Sequence, residues 1–301
     1  MPFFINFVIP FAGYFKQAFS EAVNIFRLMK KQNADGSVMS FWGHLEALRG
    51  HLIRSAASIG VFALLAFLSK DFLFSRVILA PKEPYFLTNR LLCSLAETLS
   101  APALCINKNP VQLINIDMAG QFTTHILTSL VVGLLLSIPY VIWEVWRFIR
   151  PGLTPREQAN SRGAVFIISG LFLTGVLFAY YLIVPLAVNF LGSYQVSGMV
   201  TNQIALRSYI STITTLCLAT GLVFELPVFV YFLSRVGVLT PALMRKQRKF
   251  ALVLIIILSA IITPPDVFSQ IMVSIPLFAL YEISIGISAR IEKERLQKTA
   301  A

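Results

Sequence analysis

The sequence has 301 residues, of which 56% are hydrophobic and only 13% are charged, and its mean hydropathy is +0.75. Soluble proteins carry about 25% charged residues because their surfaces face water. The stretch from Gly163 to Leu206 runs for 44 residues without an Asp, Glu, Lys or Arg. This composition excludes a soluble globular protein and indicates an integral membrane protein. In a membrane protein, a formal net charge of +11 is interpreted first as evidence of which segments face the cytoplasm. We therefore predict no nucleic-acid partner.

Residues 1–39 form an N-terminal extension without the pattern of a signal peptide, because it lacks a basic start and contains Pro2 and Pro10. Apolar residues recur within it at three- and four-residue steps: Phe11, Phe15, Ala18, Ala22, Ile25 and Met29. This spacing is typical of an amphipathic helix in the membrane interface. An extension without a function is an equal alternative. The polar run Asn33–Ser37 is predicted to be a linker.

Six apolar segments follow, and a helix needs roughly 20 apolar residues to cross the bilayer core. The segments are Leu52–Leu68, Phe122–Trp143, Ala164–Val188, Ser208–Leu233, Phe250–Ile262 and Val267–Ile287. Their continuous apolarity excludes an alternating β-barrel pattern. The fifth segment is short and ends at a Pro-Pro turn, so we expect the last two helices to be short. A re-entrant hairpin is the alternative. The fold class is an all-α integral membrane protein.

The distribution of Lys and Arg predicts the topology. Nineteen of these residues lie in one set of flanking segments and six in the alternate set. The basic set is expected on the cytoplasmic side, which places both termini there and agrees with an even number of spans. The predicted organisation is an extension at 1–39, a membrane domain at 40–290 and a cytoplasmic tail at 291–301.

The cysteines and histidines do not suggest a metal site. Cys93 and Cys105 share the segment predicted to be outside, where they either pair as a disulfide in an oxidising compartment or remain loop thiols. Cys217 lies within a span and is expected to pack there. The histidines are scattered through different segments: His44, His51 and His125. No nucleophile elbow, phosphate loop or zinc-protease motif is present. We therefore predict neither an enzyme nor a cofactor.

Glu225 is the most informative polar residue, because it lies in an otherwise uncharged predicted span shortly before Pro227. A carboxylate at the centre of a spanning helix costs about 2.5–3.5 kcal/mol on insertion scales, so it usually faces a cavity or a partner. A functional contact is one interpretation, and a structural hydrogen bond between helices is the other. Pro139 and Pro185 are expected to kink or end their helices.

Two further carboxylates lie in basic segments near the membrane surface. Glu46 belongs to the segment His44–Arg49 before the first span, and Glu157 belongs to the segment Phe148–Glu157 after the second. A carboxylate can bind an arginine side chain through two hydrogen bonds. Two of them could therefore hold two arginines, although pairing with arginines of the same segments explains these residues as well.

Taken in order, these segments resemble the TatC family, the multispanning receptor subunit of the twin-arginine protein translocase. Besides the two segments just described, the matching runs are Leu79–Pro81, Phe178–Tyr180 with Pro185, Phe224–Pro227 and Thr263–Gln270. They cover Ser40 to Arg290, about five-sixths of the chain. The Thr263–Gln270 run and the loop motif at Phe148–Glu157 are long and specific.

The resemblance implies a concave, glove-shaped bundle of six tilted helices in the bacterial cytoplasmic (inner) membrane. It implies recognition of twin-Arg signal peptides on folded cargo, assembly with single-span TatA- and TatB-like partners and with further copies, and use of the proton gradient. The implied signal-peptide residues are Glu157, Glu46, Arg49, Phe148, Pro151 and His44. The implied intramembrane contacts are Glu225, Phe224, Pro227, Thr263, Gln270 and Tyr180.

The sequence departs from the family pattern at two of these sites. Family members usually carry Glu where this chain has Ala47, and neighbouring Glu46 is turned by about 100° on a helix. The Arg that often follows the loop carboxylate is here Gln158. Two alternatives from other classes are a proton-coupled small-solute transporter that uses Glu225 as a relay, and an intramembrane enzyme. No inverted repeat supports the transporter, and no set of a nucleophile and a base supports the enzyme.

Overall fold

A computed structural model describes residues 41–101, 105–107, 111–150, 163–197, 199, 202–263 and 267–300. Residues 41–45, 268–269 and 298–300 are described by their backbone alone. The predicted interfacial helix and linker of the extension lie outside the described residues, as do the loop at 151–162 and the turn at Pro264–Asp266. The described chain is almost entirely helical, which confirms the all-α fold class.

The helices are α1 (Phe41–Leu68), α2 (Leu87–Thr98), α3 (Gly120–Ile149), α4 (Ala164–Phe178), α5 (Val184–Ser193), α6 (Leu206–Val223), α7 (Leu226–Val236), α8 (Pro241–Lys246), α9 (Arg248–Ile262) and α10 (Val267–Ala300). A short helix at Lys70–Phe72, a π-helical turn at Leu73–Ile78 and a 3-10 turn at Ala80–Lys82 follow α1, and a second π-helical turn, Ala179–Ile183, joins α4 to α5. Two short parallel strands, β1 (Leu113–Ile114) and β2 (Ile204–Ala205), pair with each other.

Five described helical stretches are long and apolar enough to cross a bilayer: Glu46–Leu68, Gly120–Ile149, Ala164–Ser193, Leu206–Val236 and Gln270–Gln297. The protein is therefore a multi-pass membrane protein. The predicted fifth span corresponds to α9, whose 15 residues extend about 22 Å and fall short of the bilayer core. The expectation that the last two helices are both short is wrong for α10. It has 34 residues, because its polar end continues the helix beyond the apolar segment.

The contacts divide the chain into two units, Met1–Leu48 and Arg49–Ala301. The described part of the first unit is the start of α1, on which Glu46 is exposed. The second unit contains an apolar core centred on α6, whose buried Ile213 and Leu216 pack with Ile183 before α5 and with Leu277 of α10. This core consists of side chains that face one another between helices, while many apolar side chains on the same helices remain exposed.

Buried amides join α2 to the start of α5. The side-chain nitrogen of Asn107 donates to Oδ1 of Asn89 at 3.2 Å and to the carbonyl of Pro185 at 3.0 Å. Asn89 in turn donates to the carbonyl of Glu83 at 2.8 Å. These bonds matter because buried amides without partners would be costly. Pro185 lies in the first turn of α5, after the π-helical turn, whereas α3 continues through Pro139.

Candidate functional site

A buried carboxylate, Glu144, lies five residues before the end of α3 and is completely inaccessible to solvent. Its Oε2 lies 2.5 Å from Nδ1 of His51 and 3.1 Å from Nε of Arg54, both on α1. Its Oε1 accepts a hydrogen bond of 3.0 Å from the hydroxyl of Tyr140 and lies 3.9 Å from Nη1 of Arg147. We call these five residues the Glu144 cluster.

Helical spacing explains why these side chains converge. His51 and Arg54 are three residues apart on α1, and Tyr140 and Arg147 lie four residues before and three residues after Glu144 on α3. Residues three or four apart share one face of a helix. The cluster therefore joins one face of α1 to one face of α3.

The short contact between His51 and Glu144 indicates which groups carry protons. Nδ1 of His51 also lies 3.0 Å from Nη2 of Arg54, but a single ring nitrogen cannot both donate to the carboxylate and accept from the guanidinium. The shorter distance favours an Nδ1 proton donated to Glu144. Arg54 then also donates to the carboxylate, so His51 and Arg54 of α1 both bind Glu144 of α3.

The sequence analysis did not single out Glu144. A signal was available, because Glu144 is the only acidic residue in α3 and is followed three positions later by Arg147. The predicted second span ended at Trp143, so Glu144 fell just outside it. The structure continues the helix to Ile149 and buries this carboxylate between two helices.

Of the predicted signal-peptide residues, Phe148 lies beside the Glu144 cluster. Its ring contacts the ring of His51 edge-on, with centroids 5.9 Å apart. Arg49 is exposed on α1. Glu46 is exposed within the first unit, where the backbone of His44 is helical. Pro151 and Glu157 lie outside the described residues.

Glu225 does not lie in the middle of a helix, as the sequence suggested, but in the turn between α6 and α7. Pro227 accounts for the break, because its ring would clash with the carbonyl of Val223, four residues earlier, in a continuous helix. Glu225 is 7% exposed. Neither of its carboxyl oxygens has a hydrogen-bond partner within the part of the chain that the structure describes.

The other predicted intramembrane residues make separate contacts in different parts of the fold. Phe224 is buried and its ring packs against Phe178, 5.6 Å between centroids. Three polar side chains bond to backbone carbonyls in different places: Tyr180 to Val77 at 2.7 Å, Thr263 to Ser259 at 2.8 Å and Gln270 to Ile256 at 3.2 Å. None of these bonds reaches Glu225, so the described residues do not form one polar site around it.

Cys93 of α2 and Cys105 are joined by a disulfide, with their Cα atoms 4.1 Å apart. Cys217 is a free, buried thiol in the core. Over the described ranges, no three His, Cys, Asp or Glu side chains are grouped as metal ligands would be.

Comparison with known proteins places this architecture in a family. A family model described as Sec-independent protein translocase protein (TatC) matches residues 43–276. The chain is 34% identical over 259 residues to the Sec-independent protein translocase protein TatC of Blattabacterium sp. subsp. Periplaneta americana, covering 85% of this chain and 97% of that protein. It is 35% identical over 250 residues to the TatC of Deinococcus radiodurans, covering 81% and 84%.

A crystal structure described as the twin arginine translocase receptor TatC in DDM is similar as well. It has a TM-score of 0.61 and 31% sequence identity, and the similarity covers 81% of this chain and 99% of that one. Sequence and fold thus agree over most of the chain, and this protein belongs to the TatC family of Sec-independent protein translocase proteins.

Proposed function

We propose that this chain is the receptor subunit of a twin-arginine translocase and binds the paired arginines of signal peptides on folded proteins. The similarity to a structure described as a translocase receptor supports this role. The observation that carries the proposal is the fixed end of α3. The Glu144 cluster holds this helix against α1, and the segment that leaves the helix carries Glu157.

In this proposal Glu157 provides the principal carboxylate for a signal-peptide arginine, and Phe148 and Pro151 shape its surroundings. Glu46, with His44 and Arg49 nearby in sequence, contributes the second carboxylate. The guanidinium group presents donors in a planar fork that matches a carboxylate. Because Ala47 stands where relatives usually have Glu, we expect Glu157 to contribute more than Glu46.

The wider assignment follows the family. The chain assembles with single-span TatA- and TatB-like proteins and with further copies of itself, and export uses the transmembrane proton gradient. Glu225, Phe224, Pro227, Thr263, Gln270 and Tyr180 serve as intramembrane contacts for these partners. The protein lies in the bacterial cytoplasmic membrane with both termini inside, residues 40–290 form the membrane domain, and we assign it no catalytic reaction.

Binding of a labelled twin-Arg signal peptide to the purified full-length protein tests the receptor role. Glu157→Ala should weaken binding more than Glu46→Ala. The loss of a hydrogen bond to a charged group costs about 1.5–3 kcal/mol, which is at least about tenfold in Kd. Ala47→Glu should strengthen binding, because it restores a carboxylate at the position used by relatives. Added salt should weaken binding to the wild type.

Two controls separate recognition from general effects. Glu97→Ala removes an exposed carboxylate of α2 and should leave the Kd unchanged, and a twin-Lys peptide should bind less tightly because Lys lacks the planar fork. Equal affinity of the wild type and Glu157→Ala for the twin-Arg peptide would contradict the proposed carboxylate site.

A further inference from the structure

A groove with a volume of about 560 Å³ lies between the end of α3 and the beginning of α4. We call it the α3–α4 groove. Its lining includes Pro139, Trp143 and Trp146 of α3 and Phe166 of α4. Sites for small molecules have volumes of about 300–1,000 Å³ and mostly apolar walls with a few polar groups. The groove therefore falls within the size range of ligand sites, and its walls are mostly apolar.

One end of the groove combines aromatic rings with positive charge. Arg150 contributes to the lining, and the guanidinium carbon of Arg147 lies 5.5 Å from the ring centroid of Trp143. These residues occupy the last turns of a spanning helix, where the chain leaves the hydrocarbon. Trp side chains favour that depth, and basic side chains there attract anionic lipid headgroups.

A buried hydroxyl lies deeper in the same groove. Ser169 is only 8% exposed, and its Oγ has no hydrogen-bond partner among the described residues. It lies five residues into α4, which is about 8 Å along the helix axis. A buried donor normally has an acceptor, and a serine in a helix often uses the carbonyl four residues earlier. The ester and phosphate oxygens of a phospholipid are acceptors at this depth.

We propose that the α3–α4 groove binds one anionic phospholipid. Its phosphate lies at the end with Arg150, a headgroup or ester oxygen accepts from Ser169, and an acyl chain runs along Phe166, which is 83% exposed. Charge decides against a twin-Arg peptide as the occupant, since Arg150 in the lining and Arg147 beside the Trp143 ring would repel the arginines of the peptide. The proposal is independent of the receptor role, because it requires no signal peptide.

Native mass spectrometry of the full-length protein with phosphatidylglycerol or phosphatidylcholine tests the selectivity. The wild type should retain phosphatidylglycerol preferentially. Arg150→Gln should reduce that retention about fivefold, because a basic residue near an anionic lipid contributes about 1 kcal/mol. Ser169→Leu should reduce the retention of both lipids by filling the groove, and the milder Ser169→Ala should weaken retention of phosphatidylglycerol. Arg245→Gln, an exposed substitution on α8, should have no effect.

A second measurement identifies the occupant in a bilayer. A photoreactive phenylalanine analogue placed at Phe166, in vesicles containing both lipids, should crosslink phosphatidylglycerol above its fraction in the membrane. Equal retention of the two lipids in the first experiment would mean annular lipid only and would overturn the proposal. Crosslinking at position 166 to residues 151–162, to a second copy or to a single-span partner instead of lipid would overturn it as well.

Discussion

The buried carboxylates Glu144, in α3, and Glu225, in the turn between α6 and α7, have opposite environments. Glu144 is surrounded by donors from two helices, and its two nearest distances are 2.5 Å to His51 and 3.0 Å to Tyr140. Glu225 has no partner among the described residues. A buried ion is tolerated when charges and hydrogen bonds compensate it, and lipid provides neither. Glu144 is thus suited to holding α1 against α3, whereas the unpaired oxygens of Glu225 agree with its proposed role as a contact for a partner.

Replacing Glu144 should destabilise the protein strongly. Glu144→Ala leaves His51 and Arg54 without their anion, and breaking a buried pair in this way costs about 3–5 kcal/mol. Glu144→Gln keeps hydrogen-bonding capacity and should cost less. Thermal unfolding in detergent measures both effects, and Glu97→Gln is the exposed control. An unfolding temperature of Glu144→Ala equal to that of the wild type would show that the cluster does not hold the two helices together.

Substitutions at Glu225 should affect export and leave signal-peptide binding intact. If polarity is what its contact needs, Glu225→Gln should retain substantial export of a folded cargo and Glu225→Ala should lose it, because only Gln preserves the hydrogen bonds. Export by cells that contain no other TatC measures this difference.

Thr220→Val provides a control for Glu225, because it removes a buried polar group without a described partner that is not ionisable, and export by this variant should remain at the wild-type level. If Glu225→Gln fails as completely as Glu225→Ala, ionisation or proton transfer is required, as the transporter alternative holds. Wild-type export by Glu225→Ala would reduce the residue to a structural role.

Small residues set the distances between helices. A Cβ atom added to Gly133 of α3 would lie 2.5 Å from the backbone nitrogen of Ala63 on α1, and one added to Gly175 of α4 would lie 3.0 Å from the Cα of Gly221 on α6. Helices in membranes associate through such close approaches, because lipid removes the hydrophobic drive between them. The α1–α3 crossing at Gly133 lies within the same helix pair that the Glu144 cluster joins, so packing and charge act on one interface.

Gly133→Ala should destabilise the protein even though alanine is the better helix former. The new methyl group meets backbone atoms that cannot move aside, and overpacking of this kind costs about 1–3 kcal/mol. Gly170→Ala on α4 is the control, since nothing lies within 4 Å of its added Cβ and the change should be neutral or stabilising by about 0.5–1 kcal/mol. Equal unfolding temperatures for the two variants would contradict close packing at Gly133.

Hydropathy predicted the positions of the five helical stretches long enough to cross a bilayer, because long apolar runs have few alternatives in a membrane, but the predicted fifth span, at Phe250–Ile262, is too short in the structure. It could not reveal that Pro227 separates α6 from α7 at Glu225, since apolarity continues across the break. Hydropathy also predicted a short last helix. The helix α10 continues through a polar segment, where hydropathy cannot indicate whether the chain is helical. The Glu144 cluster escaped the sequence analysis because its members lie about 90 residues apart, and only packing of α1 on α3 brings them together.

At the scale of the whole molecule, the basic residues and the disulfide point to the same orientation. The nineteen-to-six distribution of Lys and Arg predicts that the segment with Cys93 and Cys105 lies on the non-cytoplasmic side. The structure joins these two residues, and disulfides persist in oxidising compartments such as the periplasm. Closing a loop of this length contributes roughly 3 kcal/mol in the chain-entropy model. The charge distribution and the disulfide are independent indications of orientation. An experiment that measures the accessibility of both the disulfide segment and the C-terminus therefore tests the predicted topology stringently.

In spheroplasts, we therefore expect the Cys93–Cys105 segment to be accessible to a thiol reagent from outside and the C-terminus to be accessible only from inside. In a Cys217→Ser background, a membrane-impermeant maleimide should label Cys93 and Cys105 only after treatment with an impermeant reductant, because the disulfide blocks both thiols beforehand. In a second protein that also carries Cys93→Ser and Cys105→Ser, a thiol introduced by Ala301→Cys should react only after the membrane is permeabilised. Labelling of position 301 in intact spheroplasts would place the C-terminus outside, and labelling of Cys93 without reductant would show that the disulfide does not form in the cell.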